Sequence, residues 1–456
     1  MKISDISIND IGKELTLAAT VKSMKSLPGA MEIKLEDETG TISAVLAGLP
    51  EFSLGQKMEF RVIPRERNGG LILEIISKDN NSFLIKSDKL EQLKPAFLKT
   101  KKIMQDAISK NRHIIIRHHD DTDGYVAGYV LELALLPLVS DKRFILTRTS
   151  SRAPYYDYVD AARDLNNFLG FRRHGDDAPL VILCDLGSNI QSMKSMKRLA
   201  MYGFDFVIID HHIYDKDNEE ITKAFLNPHT LGLGSDLNAG TLCTELALMF
   251  GIKKEEISHL PALSGVADKS SGAELDSYIK LSGFDRVYLE KWAMTIDHET
   301  YYLRFPEKSE ILEDLFMPTK RNKEIIAMIS ALLDAEMHPI REAIKKFSVI
   351  QQYRDFKLIR VSRDIAGWDY ASTKLPRIAS DLFTGSRVLF VETYDSISYR
   401  ADCDKFNGVL LIAELKTKFP FALIDGGGHA AAGTIKFSPA SKQEIMNYIF
   451  VYLGNL

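Results

Sequence analysis

A chain of 456 residues, 45% of them hydrophobic and 26% charged, has the make-up of a globular protein large enough for two to four domains. Its formal net charge of −4 excludes a global basic field, so any nucleic-acid binding must rest on local patches or on metal. Cys184, Cys243 and Cys403 form no Cys-x-x-Cys pair and are too few for a disulfide framework; with no apolar leader and no membrane-length run, the reading is a cytoplasmic protein without a membrane partner.

Residues 1–82 alternate strand-like runs (15–21, 30–35, 41–47, 57–62 and 71–76) with the turn signals Asp37-Glu38-Thr39-Gly40 and Asn68-Gly69-Gly70. Five short strands and no long helix predict a small closed barrel. Residues 33–42 resemble the second hairpin of OB-folds, which often bind single strands. A barrel that docks protein or is purely structural fits equally well. The aromatics available for stacking are Phe52, Phe60 and Phe83, and Lys22, Lys25, Arg65 and Arg67 either line a groove or are simply solvated. Residues 83–110, rich in lysine, read as a link carrying an amphipathic helix over 101–110.

Residues 111–290 hold the chemistry. A buried strand over 113–116 runs into Arg117-His118-His119-Asp120-Asp121-Thr122-Asp123-Gly124, and 125–135 reads as a helix. On an extended segment Asp121 and Asp123 face the same way, each able to meet a different cation. A strand over 144–146 is followed by Arg148, Ser151 and Arg152, candidates for phosphate contacts. A strand over 180–184 ends in Asp185, and one over 206–209 ends in Asp210-His211-His212. Strands alternating with helices predict an α/β domain with a doubly wound parallel sheet, whose carboxyl ends share one edge. Asp121, Asp123, Asp185 and Asp210 would meet there and repel one another unless cations intervene or the acids serve as helix caps. Mixed Asp and His donors suit Mn²⁺, Mg²⁺ or Zn²⁺, and without Cys a structural zinc site is disfavoured. The donors suffice for two ions about 3.5–4 Å apart, the arrangement that drives phosphoryl displacement. Asn238-Ala239-Gly240-Thr241 opens a helix whose first N–H groups suit a phosphate.

Residues 291–345 read as a helical connector without chemistry, and 346–456 as a smaller C-terminal α/β domain with strands over 357–361, 388–391 and 396–401. There Asp425-Gly426-Gly427-Gly428-His429 reads as a tight turn or as a nest of N–H groups able to clamp a phosphate.

Taken together, these pieces resemble a known family. Asp210-His211-His212 resembles the signature of the DHH phosphoesterases. His119-x-Asp121-x-Asp123-Gly124 resembles their first motif, Asp185 their second and Ser264-Gly265-Val266-Ala267-Asp268 their fourth; the glycine run resembles the motif of their associated C-terminal domain. In this order, behind a barrel, the chain resembles the archaeal RecJ-like, or GINS-associated, nucleases over residues 111–456. The resemblance implies that Asp185 bridges two Mn²⁺ ions (Mg²⁺ being possible), that Asp121 and Asp123 bind one each, and that His119, His211 and Asp268 complete the set. It places His212 beside the phosphate with Asp210 orienting the imidazoles. It assigns His229, Ser398, Arg400, Gly426, Gly427, Gly428 and His429 to substrate. Arg117 stands where several members carry a further His, so either His118 or His119 takes that place or one metal is held more weakly. The implied activity is a two-metal exonuclease on single-stranded DNA or RNA, in replication or repair. The alternatives are a scaffold docked on the GINS complex and a small-nucleotide phosphodiesterase; the barrel argues against the second.

Overall fold

Alternation of inward apolar and outward polar residues closes the N-terminal strands into a barrel. In the computed structural model, which describes residues 1–27, 30–47, 50, 52, 54–67, 69–76, 82–139, 146–171, 177–303, 309–367 and 370–456, these are β1 (Leu15–Leu27), β2 (Ala30–Asp37), β3 (Gly40–Ala47), β4 (Lys57–Arg67) and β5 (Gly70–Ile75). They close in the order β1-β2-β3-β5-β4. Within β4, Phe60, Val62 and Pro64 are buried while Glu59, Arg61 and Arg65 face solvent. Asp37 shapes the β2–β3 turn by accepting from the Thr39 and Gly40 N–H groups at 2.7 and 3.1 Å. Phe52 and Phe60 are buried against each other, edge to face at 5.1 Å. Phe83 packs on Phe97 outside the barrel. The described part of the barrel therefore exposes no aromatic ring, contrary to the stacking role the sequence left open.

The following segment is no mere link. Helix α1 (Asp88–Ser109) is twice the expected length, and its Leu90, Leu93, Phe97 and Met104 are wholly buried in the core of the main domain. That domain runs β6 (Ile114–His119), α2 (Thr122–Leu135), β7 (Leu146–Ser151), α3 (Tyr158–Phe171), β8 (Leu180–Cys184), α4 (Ile190–Ala200), β9 (Asp205–Ile209), α5 (Lys216–Glu220) and β10 (Ala224–Leu226). Its five strands are parallel, in the order β10-β9-β8-β6-β7. One face packs Ile114, Ile116 and Ile182 against α2 and the helices that follow; the other packs Ile115, Val181 and Leu183 against Tyr156 and Phe168. Strand β6 runs on through His118 and His119, and α2 begins at Thr122 rather than at 125. Asp121 is thus an N-cap and Asp123 lies in a helical first turn, so the two do not share a direction as an extended segment would require. Of the strand expected over 144–146, only Leu146 lies among the described residues.

Helices α6 (Ala239–Met249), α7 (Lys254–Ile257), α8 (Leu260–Ala267), α9 (Ala273–Ser282), α10 (Arg286–Tyr302), α11 (Ser309–Phe316) and α12 (Lys320–Phe347) follow. Trp292, Ile296, Leu312 and Phe316 belong to the core that α2 and α6 share, so much of the stretch read as a connector is part of the main domain. The chain divides inside α12, into Met1–Ile326 and Ala327–Leu456. The second unit comprises β11 (Val349–Gln352), β12 (Lys357–Ser362), α13 (Tyr370–Thr373), α14 (Leu375–Leu382), β13 (Arg387–Glu392), β14 (Ser396–Asp402), α15 (Gly408–Lys418), β15 (Asp425–His429), β16 (Ala432–Lys436) and α16 (Lys442–Gly454). Its six-stranded mixed sheet has the order β11-β12-β13-β14-β16-β15, around Leu358, Phe390, Tyr399 and Ile435. The glycine run is neither turn nor nest but the edge strand β15. Gly426 (φ 152°) and Gly428 (φ 125°) let it lie close on β16, where a Cβ would meet the Thr434 and Ala432 carbonyl oxygens at 2.2 and 2.4 Å. Among the described residues no helix is long and apolar enough to cross a membrane.

Candidate metal centre

The chain passes from β6 to β7 on one side of the sheet, then returns to β8 on the other. The turns leaving β6 and β8 diverge there and open a crevice at the carboxyl edge. Asp121 and Asp123 enter it from the β6–α2 turn, Asp185 from the end of β8, Asp210-His211-His212 from the end of β9, and Asp268 from the C-cap of α8. Donor atoms of Asp185, Asp210, His211 and His212 lie within 4.8 Å of one another, as do those of His119, Asp121 and Asp185. Asp185 is common to both groups. It is a non-glycine residue in the left-handed region (φ 59°), held by its N–H on the Ile209 carbonyl at 3.0 Å; such strain persists where surrounding structure fixes it and is frequent at functional sites.

Each ligand candidate is fixed by a partner. Asp121 caps α2 by accepting from the Gly124 N–H at 2.9 Å, and its other oxygen lies 2.8 Å from His119 Nδ1. The capping reading of this acid therefore holds, and its second oxygen is left facing His119. Asp123 accepts from the Ala239 and Gly240 N–H groups at 3.1 and 2.7 Å and from the Ser264 hydroxyl. The N-terminus of α6, expected to take a phosphate, thus holds Asp123 instead. Gly240 is required for this approach, since a Cβ there would sit 2.2 Å from Ser264 Oγ. Asp210 accepts from His212 Nδ1 at 2.8 Å, from the His211 N–H at 2.8 Å and from the Ser188 N–H at 3.2 Å. His211 Nε2 lies 3.4 Å from Asp185 and 3.9 Å from Asp123, with its Nδ1 3.0 Å from the Ser235 carbonyl and 3.7 Å from Asp268.

Burial raises the Asp123 carboxyl well above the usual range, and Asp185 adds to the effect; burial likewise pushes Asp268 up to about 6. Burial opposes charge on His119 and His211, yet Asp121 and Asp185 outweigh it at His119, as Asp185 and Asp268 do at His211, and both imidazoles are raised well above their ordinary value. Burial also disfavours the Asp210 charge, but His212 and His211 hold it far below the usual range. Among the described residues Asp123, Asp185 and Asp268 have no lysine or arginine partner. Asp123 and Asp185 are buried, with the partly exposed Asp268 beside them; carboxylates that face imidazoles and no lysine or arginine are a donor set that fits divalent cations.

Other expected residues lie elsewhere. Arg117 turns onto α3, where Asp164 receives its Nε and Nη2 at 3.0 and 2.7 Å and Asp160 its Nη1 at 3.2 Å. His118 is buried on the opposite face against Tyr125, beside Arg148 Nη1 at 3.1 Å. Of the three, only His119 reaches the cluster. Arg148 and Ser151, read as phosphate contacts, are engaged inside by Glu132 and Asp160. His229 meets Ser235 Oγ at 2.8 Å, on the same residue whose carbonyl faces His211. In the second unit Ser398 Oγ lies 3.3 Å from Thr434 Oγ1, and the buried Nε of Arg400 has no hydrogen-bond partner among the described residues. Burial and then Arg377 lower the Arg400 guanidinium, with Asp381 opposing them. The His429 side chain lies outside the described set.

Two residues with no such role in the sequence reading also matter. Asn227 donates to Ser188 Oγ and the His212 carbonyl at 3.1 and 2.9 Å, joining the ends of β8 and β9. Asp297 of α10 accepts from the N–H and hydroxyl of Thr122 at 3.0 and 2.6 Å, pinning the residue between Asp121 and Asp123. Both are long-range pairings, and no local pattern announces Asp297.

The N-terminal domain of the DHH family matches residues 113–266. The solved DHH domain of a member of a family of ribosomal proteins is 30% identical, with a TM-score of 0.78 over 82% of this chain and 94% of that one. RecJ of Thermus thermophilus in complex with Mn²⁺ is 13% identical, with a TM-score of 0.57 over 83% of this chain and 57% of that one. An uncharacterized protein of Methanocaldococcus jannaschii is 28% identical over 432 residues; the alignment takes in 82% of this chain, which spans 56% of that relative's length. An α/β protein with an acid–imidazole cluster at the switch point of its sheet is thus the class that fold and site define. The chain belongs to the DHH family, and its fold is RecJ-like.

Proposed function

We propose that the chain is a two-metal phosphodiesterase that acts as an exonuclease on single-stranded DNA or RNA. The observation that carries this reading is Asp185, shared by two donor groups at the switch point. His119 and Asp121 would hold one cation with it, and Asp123, His211 and Asp268 the other. Mn²⁺ or Mg²⁺ bound there would supply a more acidic attacking water and positive charge against the phosphate oxygens. His212 is the most open imidazole of the cluster, at 38% side-chain exposure. Burial opposes its charge, yet Asp210 raises it, which favours a protonated ring able to donate to a phosphate oxygen. Asp210 orients that ring by its Nδ1. In the second unit the unpartnered Arg400 Nε–H, Ser398, His429 and the outer edge of Gly426 to Gly428 serve as a phosphate-binding surface, with His229 beside the first cluster. A pure replication scaffold on GINS would leave the buried carboxylates without a purpose.

One observation favours a second reading, a small-nucleotide phosphodiesterase. The barrel exposes no ring among its described residues, and Lys22, Arg61 and Arg65 are paired with Glu36, Glu14 and Glu74. The argument from a strand-binding barrel is weakened accordingly. The test is Mn²⁺-dependent digestion of end-labelled single-stranded DNA, single-stranded RNA and a dinucleotide, with Asp185→Ala as control. Stepwise shortening from one end, abolished in the variant, is expected. Cleavage of the dinucleotide alone would select the second reading, and activity retained by Asp185→Ala would contradict both.

A further inference from the structure

Helices α3 and α4 lie side by side on one face of the parallel sheet, and an open groove of about 260 Å³ runs between them. Its lining is Tyr158, Ala161, Ala162, Leu165, Leu169 and, on the α4 side, Arg198, with Asn166 at the edge. Tyr158, Ala162, Leu165 and Leu169 recur at spacings of four, three and four. That is the seam of a helix made to pair with another helix, and it runs for roughly 16 Å. Yet Tyr158 is 47% and Leu169 41% exposed.

On the two helices themselves the outward charge has one sign. Helix α4 carries Lys194, Lys197 and Arg198 and no acid. The two acids of α3, Asp160 and Asp164, are turned inward onto Arg117, and the preceding Asp157 caps the helix by accepting from the Asp160 N–H at 2.7 Å. Arg163 reaches back to Asp160 at 3.6 Å but stays 67% exposed. The buried Arg117 therefore strips the helix pair of outward negative charge. Cations beside exposed tyrosines also suit nucleic acid, but the rings here are already taken. Lys194 Nζ lies 5.3 Å from the Tyr158 ring and Arg198 5.0 Å from that of Tyr202, so their faces are covered rather than offered to bases.

We infer that the α3–α4 groove is a docking site for an amphipathic helix of a partner protein, apolar along one stripe and acidic along the flank that meets Lys194, Lys197 and Arg198. The inference is independent of the metal-centre chemistry and survives its failure.

The test uses the full chain and fluorescein-labelled synthetic helices of about 16 residues, four to five turns. One carries Leu at spacings of four and three with Glu along one flank, the second has Lys in place of Glu, and the third is a scramble of the first. Labelled oligothymidylate is the nucleic-acid arm. Saturable anisotropy change is expected with the Glu-flanked helix only. Leu169→Asp, at an exposed position, should weaken it by about tenfold or more. The pair Lys194→Glu and Lys197→Glu should invert the preference toward the Lys-flanked helix. No binding, or equal binding of the scramble, overturns the inference. So does oligothymidylate binding lost in the same variants, or sedimentation showing a dimer that Leu169→Asp dissociates, which would make the occupant a second copy.

Discussion

Arg117 is almost wholly buried and holds two carboxylates that are as buried as itself, with the Tyr156 hydroxyl donating to Asp164 at 2.7 Å. From sequence this position threatened the metal site, because a basic residue stood where an imidazole was expected. Position along the strand separates the two residues. Side chains alternate along β6, so Arg117 and His119 leave on the same face, but Arg117 lies within the strand under α3, while His119, two residues on, lies at the carboxyl tip beside Asp121 and Asp185. Replacing Arg117 by Met leaves Asp164 buried without a counter-charge and Asp160 with only the exposed Arg163 at 3.6 Å, and such losses run to about 3–5 kcal/mol. Urea unfolding should show a drop of that order. A variant as stable as the parent would refute the buried-pair account, and one with full stability but lost Mn²⁺ binding would return Arg117 to the metal site.

At the scale of elements, the cluster depends on how α6 is seated. Its N-terminal N–H groups hold Asp123, and one turn further on the fully buried Glu245 accepts from the Leu84 N–H at 2.8 Å and from the Tyr278 hydroxyl at 2.6 Å. Glu245 thereby ties the strand-to-α1 segment and α9 to the helix that positions the acid. Burial pushes its carboxyl up to about 7. A carboxyl raised in the folded state stabilises fully below its unfolded value near 4.5 and loses that contribution as pH rises through about 7. The shift corresponds to about 3 kcal/mol. Glu245→Gln should lack this slope, so that the parent loses on the order of 3 kcal/mol relative to the variant between pH 5 and pH 8 in urea unfolding. Identical pH slopes would show that Glu245 is charged throughout. The same seating explains a misreading. The start of α6 has the composition of a phosphate-binding turn, yet its N–H groups are spent on an internal carboxylate, a choice that depends on tertiary placement and not on local sequence.

Across the whole molecule, what was legible followed from periodicity and from strand ends. Buried runs ending in Asp185 and Asp210 announced a parallel sheet and put the acids on one edge, and alternation announced the barrel. What was not legible depended on long-range contacts. The 83–110 segment read as a link because its lysines are plentiful, but Leu90, Leu93 and Phe97 seat it in the core of the main domain. The glycine run read as a tight turn or a nest because glycine permits both, whereas here it lets an edge strand lie close on β16. Asp297 reaches the centre from afar, and no motif marks it. The central claim is that Asp185 joins two cation sites in one crevice. Calorimetric titration of the metal-free full chain with Mn²⁺ tests it most directly. Two ions per chain are predicted for the parent, with both sites weakened in Asp185→Ala while circular dichroism shows the fold intact. One ion per chain, or two ions bound undiminished by the folded variant, would contradict it.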